Sequence, residues 1–135
     1  MGARLDCVML VDDSMSDNFL HERMIQRLGC VGHVATMRTG HGAIDYLTSY
    51  DKKSCLPPQL ILLDVEMPGM DGWQFVEAYQ SLHESDKTAQ IIMMVASDKC
   101  PEIDLVKANP AIKDYVVKPM TDETLQGLMQ THFPG

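Results

Sequence analysis

Two periods of apolar residues alternate along this chain. Leu60-Ile-Leu-Leu63 is apolar at every position and ends in Asp64. A run apolar on both sides predicts a strand buried on both faces, as in a parallel sheet. Cys7 to Val11 reads the same way and ends in Asp12-Asp13. Val31 to Met37 (apolar at Val31, Val34, Ala35 and Met37), Gln90 to Ala96 and Asp114 to Val117 complete five strands, the last followed by Lys118-Pro119. Between the strands the spacing becomes helical. Leu20, Met24 and Leu28 fall at i, i+4 and i+8 on one helix face, behind the N-cap candidates Ser14 and Ser16 and before a stop at Gly29. A helix over Gly40 to Tyr50 would turn Ala43, Ile44 and Leu47 inward. After Asp71, the residues Phe75, Val76, Tyr79 and Leu82 mark an amphipathic helix. Ile103 and Val106 mark a short one, opened by Pro101 and closed by Asn109-Pro110. Thr121 caps the last, with Asp122 and Glu123 in its first turn and Leu125, Leu128 and Met129 inward.

Five strands alternating with five helices predict an α/β fold with right-handed crossovers and helices on both faces. The polar, proline-containing stretch Ser49 to Gln59 is a loop within that pattern rather than a linker. The 135 residues are therefore expected to form one domain, 1–135, with its core over about 7–131. A net charge of −8 argues against non-specific nucleic-acid binding, which needs basic surface. No apolar run approaches the ~20 residues of a membrane span, so no membrane contact is expected. Met-Gly-Ala-Arg-Leu-Asp at the start carries no apolar secretion core, and Asp6 stands where a myristoylation signal needs Ser or Thr. Cys7, Cys30, Cys55 and Cys100 form no C-x-x-C and read as free thiols of a reducing cytoplasm. The histidines show no ligand spacing and are expected on the surface. Abundant methionine suggests adaptable packing.

In open parallel sheets, ligands bind at the carboxyl ends of the strands. Asp12, Asp13, Asp64 and Lys118 each follow a strand, so they can converge on one edge. Several carboxylates a few ångströms apart do not all stay ionised unaided. A divalent cation resolves this, and oxygen-only ligands favour Mg²⁺ or Mn²⁺ over zinc. The bland alternative makes the acids helix caps beside Ser14. Other signals are weaker. Thr39-Gly40-His41-Gly42 lacks the third glycine of a dinucleotide turn, having Asp45 there. His21-Glu22 and His83-Glu84 lack the second histidine of a zinc motif. Trp73 at a helix start reads as packing.

The pieces V-D-D-S (11–14), L-D-V-E-M-P-G-M-D-G (63–72) and Y-V-V-K-P (115–119), in this order, carry a family resemblance. From Cys7 to about Met129 the chain resembles the receiver domain of two-component response regulators, of the single-domain, chemotaxis-regulator-like kind. The resemblance implies a flavodoxin-like, doubly wound (βα)5 fold with strand order 2-1-3-4-5. It implies that Asp64 is the phosphoacceptor, taking the group from a histidine kinase or histidine phosphotransfer protein in a reaction the chain itself catalyses. Mg²⁺ (or Mn²⁺) would be held by Asp13, Asp64 and the backbone carbonyl of Glu66, with Asp12 acting mainly through water. Lys118 would pair with a phosphoryl oxygen, and its bond to Pro119 would be cis. A downstream protein partner would dock on about Pro101 to Met129, or the chain would relay phosphate. The Glu66 side chain is expected to affect hydrolysis by crowding or repelling water.

One position departs from the family pattern. Thr or Ser usually ends the fourth strand and bonds the phosphoryl group; alignment on Lys118 puts Ala96 there. Ser97 follows, but successive strand side chains point oppositely, so only a bulge would bring its hydroxyl in. Tyr115 holds the place of the family's switch aromatic and also reads as a half-exposed packing residue. Two alternatives to a phosphorylated switch remain open. One is a pseudo-receiver, a constitutive interaction module, favoured by Ala96. The other is a phosphatase of the haloacid dehalogenase class, which Glu66 opposes by standing where that class has its second aspartate.

Overall fold

In the computed structural model, which describes residues 4–134, all strands belong to one parallel sheet. The elements run β1 (Leu5–Val11), α1 (Met15–Leu28), β2 (Val31–Met37), α2 (Gly40–Leu47), β3 (Leu60–Asp64), α3 (Gly72–Gln80), β4 (Gln90–Val95), α4 (Glu102–Ala108), β5 (Ile112–Val117) and α5 (Asp122–His132). The sheet order is β2-β1-β3-β4-β5, as the resemblance implies. The reading of the chain start as leaderless involves residues 1–3, and the expected domain extends to 135; these positions lie outside the described residues.

Strand alternation divides the core in two. Met9, Val11, Ile61, Leu63, Ile91, Met93 and Val95 pack with Ala43 and Leu47 of α2, Phe75, Val76 and Tyr79 of α3, and Ile103 and Val106 of α4. Residues of the opposite strand phase, namely Val8, Leu10, Leu60, Leu62, Ile92, Met94 and Val116, pack with Met24 and Ile25 of α1 and Leu125, Leu128 and Met129 of α5. Register then aligns the strand ends: Leu10 lies opposite Leu62, Asp64 opposite Met94, and Val95 opposite Val117. Because side chains repeat with period two, Asp12, Asp64, Ala96 and Lys118 follow Leu10, Leu62, Met94 and Val116 in one phase. All four fall on the α1/α5 side of the sheet edge.

Local chemistry sets the helix ends. Ser14 caps α1 by accepting the Asp17 N–H, and Gly29 ends it in the left-handed conformation at φ 78°. Asp71 with Gln74, and Thr121 with Thr124, form reciprocal caps on α3 and α5. Some expectations need correction. The second helix stops at Leu47 rather than Tyr50, because the Thr48 hydroxyl bonds back to the Ile44 carbonyl and its backbone leaves helical geometry. β5 begins at Ile112, and a short 3-10 helix, Glu84–Asp86, precedes β4. Leu20 does not share the buried face of α1; it is 41% exposed, and the inward residues are Asn18, His21, Met24 and Ile25. His21 is accordingly buried, not on the surface, because its ring takes a backbone hydrogen bond there. Among the described residues no helix is long and apolar enough to cross a membrane, and all four cysteines are free, Cys7 buried among the core side chains.

Candidate functional site

Asp12, Asp13 and Asp64 meet at the carboxyl edge of β1 and β3, each offering a carboxylate oxygen within 4.8 Å of the others. Asp12 is fully buried and tightly held. One of its oxygens accepts the Ser14 N–H at 3.0 Å, and its backbone carbonyl accepts from Asn18 Nδ2 at 2.8 Å. The cap reading of these acids thus has some truth: Asp12 steadies the entry to α1, although Ser14 is the capping residue. Asp64 is 8% exposed. Burial, then the neighbouring charge of Asp12, pushes its carboxyl up to about 6, against the opposing pull of Lys118 and the Glu66 backbone N–H. Carboxylates that repel one another in a half-desolvated pocket, with no nitrogen or sulfur donor among them, suit a hard divalent cation such as Mg²⁺.

Lys118 reaches this cluster from the end of β5, its backbone N–H bonded to the Val95 carbonyl. Its Nζ stands 2.7 Å from Asp12 Oδ2, 2.9 Å from Asp17 Oδ2 and 3.6 Å from Asp64 Oδ1. Burial alone would lower the ammonium's pKa, but the hydrogen bonds it donates to Asp12 and Asp17, with the Asp64 charge, together hold it above the ordinary lysine value. The same bond from Lys118 holds the Asp17 carboxyl below the usual range. The Lys118–Pro119 peptide bond is cis.

A cavity of about 490 Å³ opens over Asp64. Lys118, Glu66 and Asp17 are among its polar lining residues, and Leu20, Met94, Ala96 and Cys100 among the apolar ones. The Glu66 side chain is exposed at this rim. Ala96 forms the wall at the end of β4. Ser97 is not part of that wall; its Oγ accepts the Lys99 N–H at 3.1 Å and organises the following turn. Tyr115 lies in the opposite strand phase, half-buried against the α3/α4 core. Within the stretch expected to meet a partner, Leu105 of α4 is exposed.

Three residues of α1 complete the arrangement and were not anticipated from the sequence: Asp17 on Lys118, Asn18 on the Asp12 carbonyl, and His21. The His21 Nε2 accepts the Met120 N–H at 3.2 Å, which ties α1 to the loop carrying Lys118. Burial lowers the pKa of this ring. The one available signal was spacing: Asp17 and His21 follow the cap Ser14 at i+3 and i+7, the face that meets the sheet edge.

Comparison with known proteins agrees with this geometry. The family model described as response regulator receiver domain matches residues 8–130. The chain is 28% identical over 120 residues to the Probable methanogenesis regulatory protein FilR2 of Methanothrix harundinacea, covering 88% of this chain and 76% of that protein. It is 29% identical over 128 residues to the signal transduction histidine-protein kinase BarA of Escherichia coli, covering 95% of this chain but only 13% of BarA. Among solved structures, the response regulator receiver protein from Dyadobacter fermentans superposes with a TM-score of 0.81 at 30% identity, covering 96% of this chain and 98% of that one.

Proposed function

The chain belongs to the response regulator receiver family of two-component signalling, and from that premise we propose that Asp64 accepts a phosphoryl group from a histidine kinase or phosphotransfer protein. The observation that carries this reading is a buried carboxylate at the end of β3, facing an open cavity and ringed by Asp12, Asp13 and Lys118. A carboxyl pushed up to about 6 is still mostly ionised at neutral pH, yet more basic than an exposed one. One Asp64 oxygen attacks phosphorus in line, the phosphorus–nitrogen bond of the donor breaks, and its electron pair returns to the imidazole. Charge spreads over the three equatorial phosphoryl oxygens, and the Lys118 ammonium meets it. Mg²⁺, held by Asp13, Asp64 and the Glu66 carbonyl, with Asp12 acting mainly through water, would supply further neutralisation of those oxygens when bound. The signal then passes by protein contacts through about Pro101 to Met129, where Leu105 offers an exposed apolar anchor.

Ala96 favours a second reading, the pseudo-receiver. It presents no donor to a phosphoryl group, so a hydrogen bond worth ~1.5–3 kcal/mol to a charged acceptor is missing from the bias between two states. Intact mass after incubation with acetyl phosphate and Mg²⁺ separates the two readings. A gain of one phosphoryl group in the parent, absent in Asp64→Asn, is the expected result. No gain from acetyl phosphate or from a histidine kinase would sink the acceptor role and leave the constitutive module.

A further inference from the structure

The α1 residue Asp17 has no part in the phosphoryl transfer proposed for Asp64, yet it makes one of the two shortest ion pairs of Lys118. An ammonium has three N–H donors. Here two go to Asp12 and Asp17, at 2.7 and 2.9 Å, while Asp64 at 3.6 Å lies beyond ordinary hydrogen-bond reach. The third donor is free for an oxygen on Asp64, but the two short pairs hold Nζ at 3.6 Å, so new negative oxygens there draw the lysine in only by stretching one of those pairs. Asp12 is poorly placed to yield, being buried and fixed by Ser14 and Asn18. The Asp17 side chain is 34% exposed and sits at the cavity rim, so water replaces the lysine there at small cost.

We infer that Asp17 is a positioning residue that holds Lys118 back from Asp64 in the unphosphorylated chain and so sets the rate of phosphoryl transfer. This rests on the acceptor role proposed for Asp64. The effect has a direction. Transfer to Asp64 begins with Lys118 on Asp17 and must loosen that pair to close the 3.6 Å gap. Loss of the phosphoryl group begins with the pair already loosened. Removing the Asp17 charge therefore speeds the gain and leaves the loss nearly unchanged, whereas general damage to the site would move both.

The test follows intact mass over time for the full chain with acetyl phosphate and Mg²⁺, then after removal of the donor. Asp17→Asn is expected to gain the phosphoryl group about two- to fivefold faster than the parent, the range for a partly exposed ion pair. Asp17→Glu, which keeps the charge, should return most of the way to the parent rate. Glu102→Gln removes another acid from the same cavity, one with no ion pair to Lys118 among the described residues, and should stay near the parent rate. An Asp17→Asn rate equal to or below the parent's, or an equal acceleration in Glu102→Gln, overturns the assignment while Asp64 remains the acceptor. No gain in parent and variants alike overturns the acceptor role, and this inference falls with it.

Discussion

In the folded chain the Asp64 carboxyl is desolvated and stands beside Asp12, and both effects make its ionised form costly. Its folded pKa of about 6 lies above the ordinary 3.8, so between those values the folded chain binds more protons than the unfolded one. This group's contribution therefore declines as pH rises from about 4 to about 6 and stays low above that. Asp64→Asn does not titrate. In metal-free buffer at pH 7 it should be more stable than the parent by about 1–2 kcal/mol in urea unfolding, with the gap closing near pH 4. A gap that is constant with pH would mean that Asp64 is not held in this environment. The acids and Lys118 were legible in the sequence because each follows an apolar run that fixes its phase at the sheet edge. Asp17 was not, since its role depends on how far a flexible lysine reaches from β5, and no period in the sequence encodes that.

At the scale of elements, β3 and α3 meet at Gly72 more closely than any side chain allows. A Cβ there would lie 2.9 Å from the Asp64 carbonyl oxygen and 2.9 Å from the Val65 Cα. Both are backbone atoms at the acceptor strand's end, so neither can swing aside. Gly40, at the start of α2, is more crowded still, with Met70 sulfur, Cγ and Cβ at 2.6, 2.9 and 3.1 Å, but all three belong to one unbranched side chain that can turn away, not to backbone. Gly72→Ala should therefore lose about 2–3 kcal/mol, the cost of overpacking against fixed atoms, and Gly40→Ala under about 1 kcal/mol. Denaturant midpoints of the two variants check this; equal losses would mean that the β3–α3 junction yields as readily as Met70 does. Element types were readable from the apolar runs and their caps. The face of α1 was not, because it buries Asn18 and His21, polar residues that are bonded there, while Phe19 and Leu20 stay exposed. Hydrophobic spacing ranks such a face wrongly, since one hydrogen bond each, from Asn18 Nδ2 and to His21 Nε2, offsets part of the burial cost, although Asn18 Oδ1 and His21 Nδ1 find no protein partner among the described residues.

For the whole molecule, a net charge of −8 favours cations in general, and the question is whether one is bound at a defined place. The folded chain gathers Asp12, Asp13 and Asp64 within ligand distance; the unfolded chain does not. An ion that binds only the folded form stabilises it by RT ln(1 + [L]/Kd), about 1.4 kcal/mol at ten times Kd. For a chain of this size that corresponds to a Tm rise of roughly 3–6 °C. Sodium at equal ionic strength screens exposed charge but chelates nothing, so it should produce little of this rise. Asp13→Asn removes one ligand and should remove the Mg²⁺ increment while leaving the sodium response intact. Acid should shrink the increment too, because below about pH 6 the ion must displace a proton from Asp64. An increment that survives Asp13→Asn, or that sodium reproduces, would mark the ion as a diffuse counterion. A selective, acid-sensitive increment would locate it on these three carboxylates, beside the oxygen that is to carry the phosphoryl group.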